Sequence, residues 1–256
     1  MLACLLPLLV LLALTKASPA LEPPPTLASL QGETLEFSVR WGPLPAATAS
    51  LAVLPAGDGV VKFRASARTL AYIDTVYPVR DQIESTVRLL GPAVLRYRKI
   101  AKDGWGKSRE DEIRFDDTLG LARAFRNGNP RKTLLVPPGV QDPLSCFYAY
   151  RALDLPGDEV ARLDITDGSR LVTGTVAVLK RETVQTPAGT FRTVLVEPRI
   201  EGIGGVFRKS PNARILIWLT DDGWRRPVKL QSEVAVGSFT AELIRLDHPA
   251  PPLPGP

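Results

Sequence analysis

The chain has 256 residues, 45% hydrophobic and 23% charged, with a formal net charge of +5. That composition is ordinary for a globular protein, and the length suffices for a self-supporting core. One histidine and two cysteines argue against a zinc centre, against a disulfide framework and against any catalytic arrangement built on histidine.

Residues 1–20, MLACLLPLLVLLALTKASPA, hold an apolar run well short of the roughly 20 residues that a bilayer span needs. Ser18-Pro19-Ala20 fits a small-x-small cleavage site, so the stretch reads as a signal peptide cleaved on export. It departs from the usual pattern in that no cation precedes the run and Lys16 follows it. Pro23, Pro24 and Pro25 make 21–31 a proline-rich linker, and five further prolines make 247–256 a proline-rich tail. A single β-rich domain is expected between them, over 32–246. An exported chain cleaved after Ala20 keeps one thiol, Cys146.

Within the domain, 33–41 alternates with Leu35, Phe37, Val39 and Trp41 on one face, the period of a half-buried strand. Return strands are expected over 49–54 and 60–68, the latter setting Val61, Phe63 and Ala65 against Lys62 and Arg64. Between 69 and 77, Leu70, Ile73 and Tyr77 fit helical spacing, and Pro78 would end such a helix. Strands follow over 79–90, 93–101, 107–115 and 119–125. Residues 102–106 form a hairpin loop, and Asn127-Gly128-Asn129-Pro130 is a turn.

The clearest helix spans 142–153. Asp142 can cap the free N–H groups and Pro143 suits the first helical position. Its broad apolar surface suggests burial on the concave side of a sheet. Strands resume over 162–164, 169–182 and 191–197. The stretch 215–243 reads as a buried strand, an Asp221-Asp222-Gly223 turn and a long return strand. In that return strand the apolar phase flips after Gly237, from Val234 and Val236 to Phe239, Ala241 and Leu243. Such a slip suggests a β-bulge. The expected fold is therefore mainly β: a curved antiparallel sheet or half-open barrel of about ten strands, with one or two helices on its concave side.

Asp142-Pro143-Leu144-Ser145, Thr186-Pro187-Ala188-Gly189-Thr190-Phe191, Ile217-Trp218-Leu219-Thr220-Asp221-Asp222 and Arg226-Pro227-Val228 together resemble a family of exported, uncharacterised proteins of Gram-negative bacteria, known only as a domain of unknown function. The resemblance covers about 32–246 and brings no catalytic residues. Over about 215–242 the chain is also distantly similar to periplasmic lipoprotein carriers. That likeness implies a half-open barrel holding acyl chains in an apolar cavity.

No constellation in the sequence carries chemistry. His248 lies in the tail, Cys146 reads as a packed residue, and Glu110-Asp111-Glu112, Asp116-Asp117 and Asp221-Asp222 place neighbouring acids on opposite faces of a strand. No cofactor and no metal are expected. Basic residues at 96–102, 123–132 and 225–226 read as a solvated face, or as a surface for anionic envelope lipid or glycan. Nucleic acid is excluded as a partner for an exported chain. Phe147, Tyr148 and Trp218 are the candidate ligand-binding residues. These features point to a periplasmic, non-enzymatic protein holding an apolar or amphipathic ligand, a lipid or a lipoprotein acyl chain. The alternative is a structural or interaction protein of the envelope with a closed core.

Overall fold

The computed structural model describes residues 24–155, 160–200, 214–234 and 237–248. In chain order they form β1 (Thr34–Trp41), β2 (Leu44–Pro55), β3 (Val60–Thr69), α1 (Ala71–Asp74), β4 (Val79–Arg88), β5 (Ala93–Asp103) and β6 (Arg109–Asp116). Then come β7 (Leu121–Arg126), β8 (Asn129–Leu135), α2 (Ser145–Ala152), β9 (Ala161–Thr166) and β10 (Leu171–Thr186). The last are β11 (Gly189–Arg199), β12 (Arg214–Thr220), β13 (Pro227–Val234) and β14 (Gly237–Asp247). All fourteen strands join one sheet in the order β8-β7-β6-β5-β4-β3-β2-β1-β14-β13-β12-β11-β10-β9. Every neighbouring pair is antiparallel. The fold is mainly β, as the alternation implies, but with fourteen strands in place of about ten.

Two stretches account for most of the difference. The phase flip at Gly237 is a chain reversal, because Val234 pairs with Gly237 across a hairpin; residues 235 and 236 lie outside the described residues. A hairpin and a bulge both invert the apolar phase, and Gly237, at φ +120°, serves the tighter of the two. The other stretch is β8. It carries Pro130 and two cations and is almost wholly exposed, as a strand with one free edge can be.

The sheet does not close, so β8 and β9 are its edges. Residues 136–142 bridge the gap between them. Val136 N–H donates to the Gly120 carbonyl at 2.9 Å, Gln141 N–H to Asp164 at 2.8 Å, and Thr166 N–H returns a bond to Gln141 at 2.9 Å. Helix α2 follows directly and packs on the sheet's inner side. Helix α1 does not share that position: it lies in the β3–β4 connection with no buried residue.

The interior divides into two regions with α2 between them. On one side Val53, Val61, Phe63, Val87, Val94, Tyr97, Ile113 and Ala122 pack against Leu144 and Tyr148 of the α2 segment. Leu30 is fully buried in that cluster, so the packed domain starts before Gly32. On the other side Tyr150, Ala161, Val196 and Leu219 form a smaller cluster. A third cluster, of Leu35, Phe37, Leu195, Trp218, Val228 and Leu243, ties β1 to the C-terminal strands.

Candidate functional site

Helix α2 is held at both ends. At its start the Asp142 carboxylate accepts from the backbone N–H groups of Leu144 and Ser145, at 2.7 and 2.8 Å. Its other oxygen accepts the hydroxyl of Ser85 on β4. Helix α2 starts at Ser145, three residues later than the expected 142, with Pro143 ahead of it and Leu144 at the N-cap position. Asp142 still accepts from the N–H groups at its start and fastens that end to the sheet. Burial pushes the Asp142 carboxyl upward, against the hydrogen bonds from Ser85 and the helix N–H groups, which pull it down.

At its far end Arg151, fully buried, makes a two-point ion pair with Glu33, at 2.6 and 2.8 Å. Arg226 Nε adds a third bond to the same carboxylate at 3.3 Å. Glu33 and Arg226 are also buried, each 1% exposed. Burial raises the Glu33 carboxyl, but Arg151 and Arg226 outweigh it and hold the group below its ordinary value. Arg225, at φ +46°, donates to the last helical carbonyls, Tyr150 and Leu153, at 3.3 and 2.6 Å. Positive φ in the β12–β13 connection thus falls on Arg225, where Asp222-Gly223 was the expected position. Asp222 instead accepts from the N–H groups of Trp224 and Arg225, both at 3.0 Å.

Between the anchored helix and β9–β12 lies an apolar cavity of about 290 Å³, partly open to solvent. Its wall on the helix side is Leu144, Cys146, Phe147 and Tyr150. Opposite stand Ala161, Leu163 and Ile165 of β9, Val176 of β10, Val196 of β11 and Ile215, Ile217 and Leu219 of β12. Leu51 and Leu230 also contribute, and none of its nineteen lining residues is charged. Alternation explains the set, since residues 215, 217 and 219 share one face of β12.

The structure brings one of the three candidate ligand-binding residues to this cavity. Phe147 lines it. Tyr148 points the other way and stacks on Phe63, with ring centroids 3.9 Å apart. Trp218 sits between the lining positions of β12 and packs in the cluster with Phe37 and Leu243. Its indole N–H donates to Glu182 at 2.7 Å, and Lys229 lies 5.3 Å over the ring. The half-open barrel reading would set α2 across a cavity from the inward faces of Phe37, Val39, Phe63, Val234 and Val236. Direct stacking of Phe63 on Tyr148 fills that space, and the side chains of Val234 and Val236 lie outside the described residues.

Cys146 is half-buried, with its sulfur 3.5 Å from the Pro143 carbonyl. Burial, then the charge of Asp142, push its thiol up to about 12. No histidine, cysteine, aspartate or glutamate other than Cys146 lines the cavity. Among the described residues no three such side chains come together as a metal site.

The sequence reading missed the Glu33–Arg151–Arg226 cluster, although one signal was present. Leu144, Tyr148 and Arg151 follow i, i+4, i+7 spacing, which places a cation on the apolar face of the helix. A charge there requires a buried partner.

The chain belongs to the DUF3108 family, described as a protein of unknown function, whose model matches residues 36–244. Its fold is similar to the crystal structure of a β-barrel-like protein of the domain of unknown function DUF1849 from Brucella abortus. That match has a TM-score of 0.52 at 15% identity and covers 85% of this chain and 98% of that one. A protein from Bacteroides fragilis, assigned as exported and with a YmcC-like fold, matches at a TM-score of 0.36 and 10% identity, over 89% of this chain and 98% of that one. One from Parabacteroides distasonis, assigned as a lipoprotein, matches at 0.31 and 13% identity, over 86% and 96%. No functionally curated protein matches the sequence.

Proposed function

We propose that this protein is a non-enzymatic binding protein of the bacterial envelope, exported by cleavage of residues 1–20, and that it holds an apolar or amphipathic ligand such as an acyl chain. The segment on which export rests lies outside the described residues. The observation that carries the binding reading is the cavity of about 290 Å³ with no charged wall. Its size is at the lower bound of the roughly 300–1,000 Å³ usual for small-molecule sites. An empty cavity of about 290 Å³ is costly: at about 24 cal/mol per Å³ it would remove up to roughly 7 kcal/mol, an upper bound for a space that is partly open. Domain stabilities are only about 5–15 kcal/mol. Filling the space with hydrocarbon reverses that loss, at roughly 0.8 kcal/mol per buried methylene. The lining also gives little support to catalysis: its thiol is pushed up to about 12, and no histidine or carboxylate stands in the wall to act as a base for it or for the hydroxyls of Tyr150 and Thr175.

The test is lipid extraction from the purified protein followed by mass spectrometry, together with uptake of a polarity-sensitive apolar dye. Wild type should carry lipid or take up dye that a fatty acid displaces. Val176→Phe and Ile217→Phe, which place rings in the cavity, should weaken uptake at least about tenfold while the fold is kept. Trp218→Phe should leave it unchanged. No lipid, no uptake and no effect of the two phenylalanines would return the choice to a structural protein of the envelope.

A further inference from the structure

Antiparallel order sends the β1–β2, β3–β4 and β5–β6 connections to one end of the sheet, together with β7–β8 and β9–β10. All four exposed aromatic side chains among the described residues are at that end: Trp41, Tyr72, Tyr77 and Trp105. Leu44 and Val76 accompany them, and Val76 and Trp105 are each 76% exposed. The other exposed large apolar residues are all aliphatic: Leu90, Leu119, Leu135 and Val160 lie toward the opposite end, and Leu171, Leu179 and Ile244 lie within strands.

These tips form one continuous row. Trp41 stacks on Phe239 of the neighbouring strand at 6.2 Å, and Gly42 N–H donates to Ser238 at 3.0 Å. The Tyr72 hydroxyl donates to the Pro45 carbonyl beside Leu44. Gly104 N–H donates to Pro78 at 2.7 Å. The Tyr77 ring lies so close over Gly104 that a Cβ there would sit 2.8 Å from it, and Trp105 follows in the same loop. Tyr72 and Tyr77 are thus held against backbone of the neighbouring connections and Trp41 against the Phe239 ring.

Its charge is one-sided. Within 40–45, 68–78 and 102–108 the exposed charged residues are Arg40, Arg68, Lys102 and Lys107 against Asp103 alone. Asp74 is neutralised by Arg80. Lys102 and Lys107 have no ion-pair partner among the described residues, in contrast to most arginines of the sheet face.

We infer that this end of the sheet docks on a lipid bilayer containing anionic phospholipid. Tryptophan and tyrosine favour the headgroup level because each has an apolar body and a polar tip. Leu44 and Val76 supply purely apolar contact, and the cations match the surface charge of the bilayer. A row of tips across adjacent hairpins suits a planar surface. The inference does not depend on what fills the cavity.

The chain recovered from the envelope fraction is mixed with vesicles of phosphatidylcholine, with or without phosphatidylglycerol, and sedimented. Variants keep the same N-terminus, so any contribution from residues 1–23 cancels in the comparison. Binding is expected with phosphatidylglycerol present and weaker without it, and salt should reduce it. The pair Lys102→Glu and Lys107→Glu should lower affinity by about fivefold for each cation removed, or more. Trp105→Ser with Val76→Ser should lower it about tenfold, with unchanged circular dichroism because both side chains are exposed. Val176→Phe should bind vesicles as wild type does, so failure of the cavity reading and failure of this one remain distinct. No sedimentation, or sedimentation that neither pair of substitutions reduces, overturns the inference. So does self-association that these substitutions abolish while vesicles stay unbound.

Discussion

Replacing Glu33 by glutamine is the sharpest test of how the inner helix is held. Glu33 and Arg151 are 1% and 0% exposed, and Arg226 is 1% exposed, so two guanidinium groups share one carboxylate out of water. Asp222 adds attraction to Arg226 through space but makes no hydrogen bond to it that replaces Glu33. Glutamine keeps the shape and one acceptor, yet leaves two buried cations facing each other. Removing one partner of such a pair costs about 3–5 kcal/mol. For a domain of this size 1 kcal/mol moves Tm by about 2–4 °C, so a fall of roughly 6–20 °C is expected. Thermal and urea unfolding followed by circular dichroism read this directly. Arg245→Ala, which breaks the exposed pair with Asp247, is the control and should change little. The pH dependence supplies a second readout. The folded Glu33 carboxyl lies below its unfolded value, so its contribution is present above the unfolded pKa and is lost as pH falls through the folded one. Glu33→Gln should erase that acid-side component. A shift no larger than that of the Arg245 control would refute the claim that this cluster anchors α2.

Asp142 has the opposite sign. Burial raises its folded pKa, so the stability linked to its proton is present below the unfolded value and lost as pH rises through the folded one. Asp142→Asn, which keeps an acceptor for the helix N–H groups, should therefore be neutral or stabilising near pH 7, while Asp142→Ala should cost about 1–3 kcal/mol in urea titrations. Cys146, with its thiol pushed up to about 12, should react with a thiol probe slowly in the native protein and quickly after unfolding. Gly104→Ala meets both a φ of +71° and the Tyr77 ring, and should lower stability by at least about 1–2 kcal/mol. Gly237→Val meets φ +120° and the Trp41 side chain, and losses similar to those of Gly104→Ala are expected in thermal melts.

The parts of this fold that the sequence announced are those where one physical cause acts alone. Strands β1 and β3 are half-buried, and alternation of Leu35 and Phe37, or of Val61 and Phe63, follows directly from that. Asp142-Pro143 announced α2 because a cap and a proline act locally. Strand β8 stayed hidden because an exposed edge imposes no apolar period. Gly237 was ambiguous because a hairpin and a bulge leave the same phase flip in one dimension, and only the pairing of β13 with β14 separates them. The cavity was illegible for a related reason. Its walls come from β9 to β12, and their apolar residues are plain in the sequence, but which face meets α2 depends on how a fourteen-stranded sheet curls. For adjacent Phe147 and Tyr148, local pattern gives no means of telling which ring lines a space and which fills one.

That division has a physical origin in the anchoring of α2. The Asp142 end is fixed to β4 through Ser85, and the Arg151 end to the residue just before β1 through Glu33. Tyr148, between those anchors, is stacked flat on Phe63 of β3, which draws the helix toward the β2–β7 half of the sheet. A helix pulled to one side fills that half and stands away from the other, so space opens toward β9–β12. The cavity is therefore a consequence of where the polar anchors sit and not of loose packing in the strands around it. On the proposed reading, a wall fixed in this way would need little rearrangement around a hydrocarbon chain, which lowers the ordering cost that usually opposes binding.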